Sequence, residues 1–165
     1  DLHPTWHPSG ERITFVSDRN DTGYDLWEAD VPTGLHWRLS HRPGDETEPS
    51  WSADGRDLIY IHQDGGQWSL IVRRQGESEE ILGTGTDRLA GPSWRPDGSL
   101  VTFWRESDTG TSLDMVILSQ PRLLRRSTGT GCITRRAVLF ASACSTPGHP
   151  QRCRFARKSS RGRAW

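Results

Sequence analysis

An all-β fold, a partial β-propeller of three four-stranded blades of about 43–45 residues, is predicted by three observations. First, a motif built on Trp recurs at Trp6, Trp51 and Trp94, with spacings of 45 and 43 residues. Second, Gly-bearing polar turns separate short runs in which apolar and polar residues alternate, the period of a strand. Third, polar Gly-bearing loops and further turns such as Pro32-Thr33-Gly34 lead to a third and a fourth run in each unit. Four short strands per unit at a period of about 40–45 residues is the mark of a propeller blade.

The motif copies are Pro4-Thr5-Trp6-His7-Pro8-Ser9-Gly10, Pro49-Ser50-Trp51-Ser52-Ala53-Asp54-Gly55 and Pro92-Ser93-Trp94-Arg95-Pro96-Asp97-Gly98. Each Trp is followed four places on by Gly10, Gly55 or Gly98, and nine places on by Phe15, Tyr60 or Phe103. The segment between is turn chemistry, in which Pro presets φ, Asp or Ser bonds back to the backbone, and Gly accepts a positive φ. A strand therefore ends at each Trp and a second begins just past each Gly, forming a hairpin. Third strands are expected at Asp25–Asp30, Trp68–Arg73 and Ser112–Ile117, and fourth strands ending near Leu39, Leu82 and Leu124. The resulting divisions are 1–48, 49–91 and 92–131 for the blades and 132–165 for a tail.

The formal net charge of zero hides two compositions. Up to Pro121 the chain has 10 Arg, no Lys and all 21 acidic residues, a net −11, whereas from Arg122 onward it has 10 Arg, Lys158 and no acid, a net +11. Cys132, Cys144 and Cys153 also fall in the second part. A fourth Pro-x-Trp is due near residue 135, where the sequence instead reads Cys132-Ile133-Thr134-Arg135-Arg136. An Arg-only body points to a GC-rich coding sequence, and such DNA read out of frame yields Arg, Ser, Pro, Ala and Cys. The tail is therefore expected to be disordered or frameshifted. Nucleic acid is a disfavoured partner, because Phe140, Phe155 and Trp165 are sparse stacking groups among the arginines. Cys144, His149 and Cys153 lack the close Cys pair of a zinc knuckle, so no metal is expected there.

The repeats resemble the WD-like repeats of the TolB β-propeller family, over roughly residues 1–126. The likeness rests on Pro49-Ser50-Trp51-Ser52-Ala53-Asp54-Gly55, on Phe15-Val16-Ser17-Asp18-Arg19, and on Tyr24-Asp25-Leu26-Trp27 with Thr33-Gly34 and Arg38-Leu39-Ser40. Ser9 stands where the motif usually has Asp, and His62-Gln63-Asp64 and Arg105-Glu106-Ser107 replace the Ser-Asp-Arg string in the later copies. The resemblance implies a rigid disc for protein partners and a periplasmic location in the Tol–Pal system. Similar repeats also precede amidohydrolase and prolyl-oligopeptidase-like catalytic domains, which implies the alternative of an accessory, substrate-gating propeller. Three blades do not close a ring, so further blades or another domain are expected in the intact protein.

No catalytic residue and no cofactor is expected in these 165 residues. Gly91-Pro92-Ser93-Trp94-Arg95 lacks the last Gly of a nucleophile elbow, and no P-loop, dinucleotide fingerprint or H-E-x-x-H occurs. His3 and His7 lie about 13 Å apart along a strand, too far for one ion. The recurrent Trp6, Trp51 and Trp94 read as packing residues rather than ligand platforms, and Asp54 and Asp97 as turn formers. Ser17-Asp18-Arg19 reads as a local Asp–Arg pair. The apolar stretch 137–141 is far too short to cross a bilayer.

One functional feature remains. Second-to-third loops and fourth-to-next-first links emerge on the same side of a propeller. They carry Asp18, Asp21, Asp45, Glu46, Glu48, Asp64, Asp87, Glu106 and Asp108, partly offset by Arg19, Arg42 and Arg88. Such an acidic face would attract a basic protein or peptide; the alternative is an ordinary solvated surface.

Overall fold

The computed structural model describes residues 1–20, 23–118, 139–143 and 155–157. These form three antiparallel sheets, with no helix among the described residues. The first sheet is β1 (Leu2–Trp6), β2 (Arg12–Ser17), β3 (Asp25–Asp30) and β4 (His36–Arg38). The second is β5 (Asp45–Trp51), β6 (Asp57–Asp64), β7 (Gln67–Arg74) and β8 (Glu80–Gly85). The third is β9 (Arg88–Trp94), β10 (Leu100–Ser107), β11 (Gly110–Ile117), β12 (Leu139–Ala143) and β13 (Phe155–Arg157). Within each sheet the strands pair in chain order, the up-and-down pattern of a propeller blade.

The repeat columns set the register. Trp6, Trp51 and Trp94 lie opposite Ile13, Leu58 and Val101. The intervening turns are superimposable in their bonding: Gly10, Gly55 and Gly98 N–H donate to the carbonyls of His7, Ser52 and Arg95 at 2.8–2.9 Å. Gly55, at φ +70°, occupies the left-handed position that closes such a turn without strain. Asp54 and Asp97 accept from the Ser52 and Ser99 hydroxyls at 2.7 and 2.6 Å, which holds both carboxyls below their ordinary range. β5 and β9 begin at Asp45 and Arg88, upstream of Pro49 and Pro92, so the polar residues before each motif already belong to the strand.

One local feature is absent from the sequence-based expectation. His3, Glu48 and Gly91, each directly before the motif Pro, adopt φ of +47°, +54° and +59°. The strand register breaks at these positions in all three first strands, so each carries a β-bulge three residues before its Trp. For His3 and Glu48 the left-handed conformation costs on the order of 1 kcal/mol, a strain that Gly91 avoids.

The third sheet differs from expectation in its outer strands. The strand expected near Leu124 lies outside the described residues, and β12, from beyond residue 131, pairs with β11 in the fourth position. The other expectations for residues 132–165 concern residues that lie largely outside the described ones.

The second sheet is the middle layer. Against the third it packs Ile59, Ile61, Leu70 and Val72 on Leu89, Val101, Phe103 and Val116, all buried. Against the first it packs Leu58, Tyr60 and Ile71 on Val16 and Leu26, a smaller cluster. Each such side chain contributes roughly 1.5–3 kcal/mol on burial. The repeat Trp residues tie neighbouring blades through their indoles: Trp51 Nε1 donates to Thr14 Oγ1 and Trp94 Nε1 to the Ser50 carbonyl, both at 2.9 Å. Trp6, whose side of the first sheet no described strand covers, is 57% exposed, and Trp104 on the far side of the third sheet is 48% exposed.

Candidate functional site: the loop face

Of the acids singled out in the sequence, Asp18, Asp87 and Asp108 sit in the β2–β3 loop, the β8–β9 link and the β10–β11 loop, whereas Asp45, Glu46 and Glu48 lie in β5, Asp64 ends β6 and Glu106 lies near the end of β10. At the first blade junction neighbouring segments are knitted together by hydrogen bonds, each with at least one backbone partner. Tyr24 N–H donates to Asp45 Oδ1 at 2.9 Å, Glu46 N–H donates to the Tyr24 carbonyl at 2.7 Å, and His62 Nε2 donates to the Pro43 carbonyl at 2.7 Å. The approach is close enough to demand glycine at position 44, where φ is +93° and an added Cβ would sit 2.3 Å from the Gln63 carbonyl oxygen. The β2–β3 loop, the β4–β5 link and the end of β6 are thus fastened to one another rather than independent flaps.

The acids divide into three groups. Asp18, Asp64 and Asp108 are exposed and make no ion pair among the described residues. Asp45, Glu48, Asp87 and Glu106 are half-buried and engaged: Asp45 with Tyr24, Glu48 with the bulge N–H of Gly91, Asp87 with Arg105 at 3.5 Å, and Glu106 with Arg88 at 2.8 Å. Asp21 lies outside the described residues. Glu46 is the correction, because it is fully buried and faces the seam between the first two sheets rather than solvent. Strand alternation explains it: Asp45 and Thr47 take the outward side of β5, which turns Glu46 inward, where Ser40 Oγ donates to its Oε2 at 2.6 Å.

Glu46 belongs to a polar seam the sequence did not disclose. Burial pushes its carboxyl up to about 7; the nearby Asp25 and Glu79 charges act in the same direction, while the Ser40 hydroxyl and the Arg42 backbone N–H oppose them. Asp25, 1% exposed at its side chain, is paired with Arg38 at 2.5 Å. Burial, with Glu79 second, raises the pKa of the Tyr60 phenol. Lower in the same seam, Glu28 is bound by Arg12 at 2.6 Å, and His7 packs edge-on against Trp51 at 4.7 Å with its Nε2 3.1 Å from the Gly55 carbonyl oxygen. His7 is therefore a blade-joining residue, and a signal for this was its place in the turn next to Trp6.

The arginines expected to offset the acids are mostly used elsewhere. Arg19 does not pair with Asp18. It bonds Ser17 Oγ at 2.9 Å and Asp1 at 3.1 Å and lies over the rings of Phe15 and Trp27, 5.1 and 4.6 Å from their centroids. Arg42 bonds Glu79 at 2.8 Å. Among the described residues, this leaves Asp18, Asp64 and Asp108 as acids of this face that make no ion pair. No group of His, Cys, Asp and Glu among the described residues has the geometry to hold a metal ion.

Comparison with known proteins agrees with this architecture. An uncharacterised protein of Agrobacterium fabrum is 31% identical over 121 residues, which cover 71% of this chain and 38% of that protein. The uncharacterised peptidase YuxL of Bacillus subtilis is 28% identical over 122 residues, 67% of this chain and 18% of the peptidase. The chain thus spans well under half the length of these relatives. The solved structure of a putative TolB from Agrobacterium tumefaciens superimposes with a TM-score of 0.60 at 23% identity, over 71% of this chain and 46% of that one. The family model of the TolB beta propeller domain matches residues 1–131, the span of the three repeats. The chain belongs to the TolB beta-propeller domain family.

Proposed function

We propose that this propeller is a non-catalytic scaffold whose loop face binds a cationic protein or peptide, in the periplasm as its family resemblance implies. The observation that carries this reading is that Asp18, Asp64 and Asp108 are exposed on the loop face and make no ion pair among the described residues, beside a first blade junction fastened by hydrogen bonds. A fixed set of like charges steers a partner of opposite sign and loses little entropy on binding. Further blades in the intact protein would cover the exposed indoles of Trp6 and Trp104. The acid-free composition of 132–165 and the missing fourth motif support a shifted reading frame for that segment, which has no part in this role.

The test is the association rate of an octalysine peptide measured on the immobilised chain. The rate falls as salt is raised, and falls again in the combined D18N, D64N, D108N variant. A rate indifferent to both would overturn the proposal.

A second reading has one observation in its favour, the match to a B. subtilis peptidase of which this chain spans 18%. In that reading the propeller gates substrate for a separate hydrolase domain. The coding sequence that follows in frame separates the two: an H-x-H or G-x-S-x-G motif favours the second reading, and further repeats the first.

A further inference from the structure

On the side opposite the loop face, where the β1–β2, β3–β4, β5–β6 and β7–β8 turns gather, a cleft of about 430 Å³ opens between the first and second sheets. Its walls combine the indoles of Trp37 and Trp51 with guanidinium groups, and it is bounded by two blades that are both described, so completing a ring elsewhere would leave it unchanged.

The chemistry of this seam is not imposed by the repeat. Thr14 and Glu28 pair across β2 and β3, and the matching pair in the second blade is Ile59 and Val72. Arg73 pairs with Leu58, and the matching pair in the third blade is Val116 with Val101. At the same backbone positions the second seam is therefore closed with Ile, Val and Val, whereas the first carries Thr14, Glu28 and Arg73 and stays open. Charged groups at an inter-blade position cost desolvation that apolar packing avoids, so the fold alone does not call for them.

The charges in the cleft are unevenly satisfied. Arg12 is neutralised by Glu28, and Arg74 by Asp57 and Glu80. Arg73 bonds only the Leu39 carbonyl and has no carboxylate partner among the described residues. Arg56 reaches Asp54 only at 3.9 Å, with its side chain 76% exposed. Two guanidinium groups without a close carboxylate partner among the described residues thus line the same cleft as the half-exposed indole of Trp37, together with one further acid, Glu77. A guanidinium grips a carboxylate through two parallel N–H donors, and an indole takes an apolar side chain next to it.

We propose that this cleft binds a peptide segment carrying a carboxylate beside an aromatic or aliphatic residue, with Arg73 and Arg56 holding the carboxylate and Trp37 the apolar neighbour. The site is separate from the loop face and opposite to it in charge, so it stands or falls independently of the function proposed above.

The test is a titration of the 15N-labelled chain with acetyl-Phe-Glu-Phe-Glu-amide, following the indole N–H signals, with Trp37 and Trp51 assigned through W37F and W51F. Saturable shifts of those two signals are expected, weakened about tenfold in R56Q and in R73Q. Arg73 also bonds the chain at Leu39, so R56Q, at an exposed side chain, keeps the test sound if R73Q disturbs the fold. Shifts absent at millimolar peptide, equal shifts with acetyl-Phe-Gln-Phe-Gln-amide, equal affinity for inorganic phosphate, or undiminished binding in R56Q would each overturn the proposal.

Discussion

Glu46 makes the stability of this chain fall as pH rises from about 4.5 to about 7. Its carboxyl is fully buried between the first two sheets, with one hydroxyl donor from Ser40 and the like charge of Asp25 nearby. Burial raises its pKa from the ordinary 4.5 to about 7. Below pH 4.5 the acid is protonated in both the folded and the unfolded chain, and its favourable contribution is complete. Between 4.5 and about 7 the unfolded chain releases the proton and the folded chain keeps it, so stability declines; above 7 the loss levels off. At roughly 1.4 kcal/mol per pH unit the span from 4.5 to about 7 sets a ceiling of about 3 kcal/mol. Glu46→Gln keeps the shape and an acceptor for Ser40 while removing the titration. Urea denaturation of both proteins at pH 5 and pH 8 isolates the effect as a difference of differences. The variant is expected to gain up to about 3 kcal/mol on the wild type between the two pH values, chiefly at pH 8. If the two proteins show parallel pH profiles, Glu46 is either solvated or ordinary in its titration, and the account of the seam fails.

Other expectations follow from the same geometry. Gly91→Ala places a Cβ 3.1 Å from Trp104 Cδ1 at a φ of +59° and should lower stability by about 1–2 kcal/mol, read from the denaturation midpoint; no change would mean the bulge relaxes freely. Arg38→Met leaves the buried Asp25 carboxylate without its cation and should cost about 3 kcal/mol at pH 7, much of it recovered in the double variant with Asp25→Asn, as a double-mutant cycle would show. For the tail, the source DNA read in the two other frames should give a Pro-x-Trp motif near the codon for residue 135. Its absence from both frames would refute the shifted-frame reading.

The features legible in the sequence are those the repeat states three times. Asp25–Asp30 was expected as a strand and is β3 residue for residue, and the Trp, Gly and aromatic columns place each hairpin in register. What stayed hidden has no periodic signature. The run Gly44-Asp45-Glu46-Thr47-Glu48 is polar throughout, so alternation could not tell which acid turns inward. The bulges sit at a column occupied by His3, Glu48 and Gly91, where only the third copy shows the residue that a positive φ favours. The cleft arginines come from separate turns and strands, and the chain path alone brings Arg12, Arg56 and Arg73 to one seam. The fourth Pro-x-Trp due near residue 135 does not occur, so no repeat column marks β12 as a partner of β11.

The contrast between the two seams has a consequence for how the molecule comes apart. The second and third sheets share a continuous aliphatic and aromatic layer, while the first is fastened by fewer apolar groups, ion pairs and a carboxyl that weakens on ionisation. Local opening follows the weaker boundary. The amides of β6, β7, β10 and β11 therefore exchange with solvent only on global unfolding, while those of β2 and β3 exchange earlier and faster as pH rises, in excess of the base-catalysed rate. Blade 1 is the layer that docks last and leaves first.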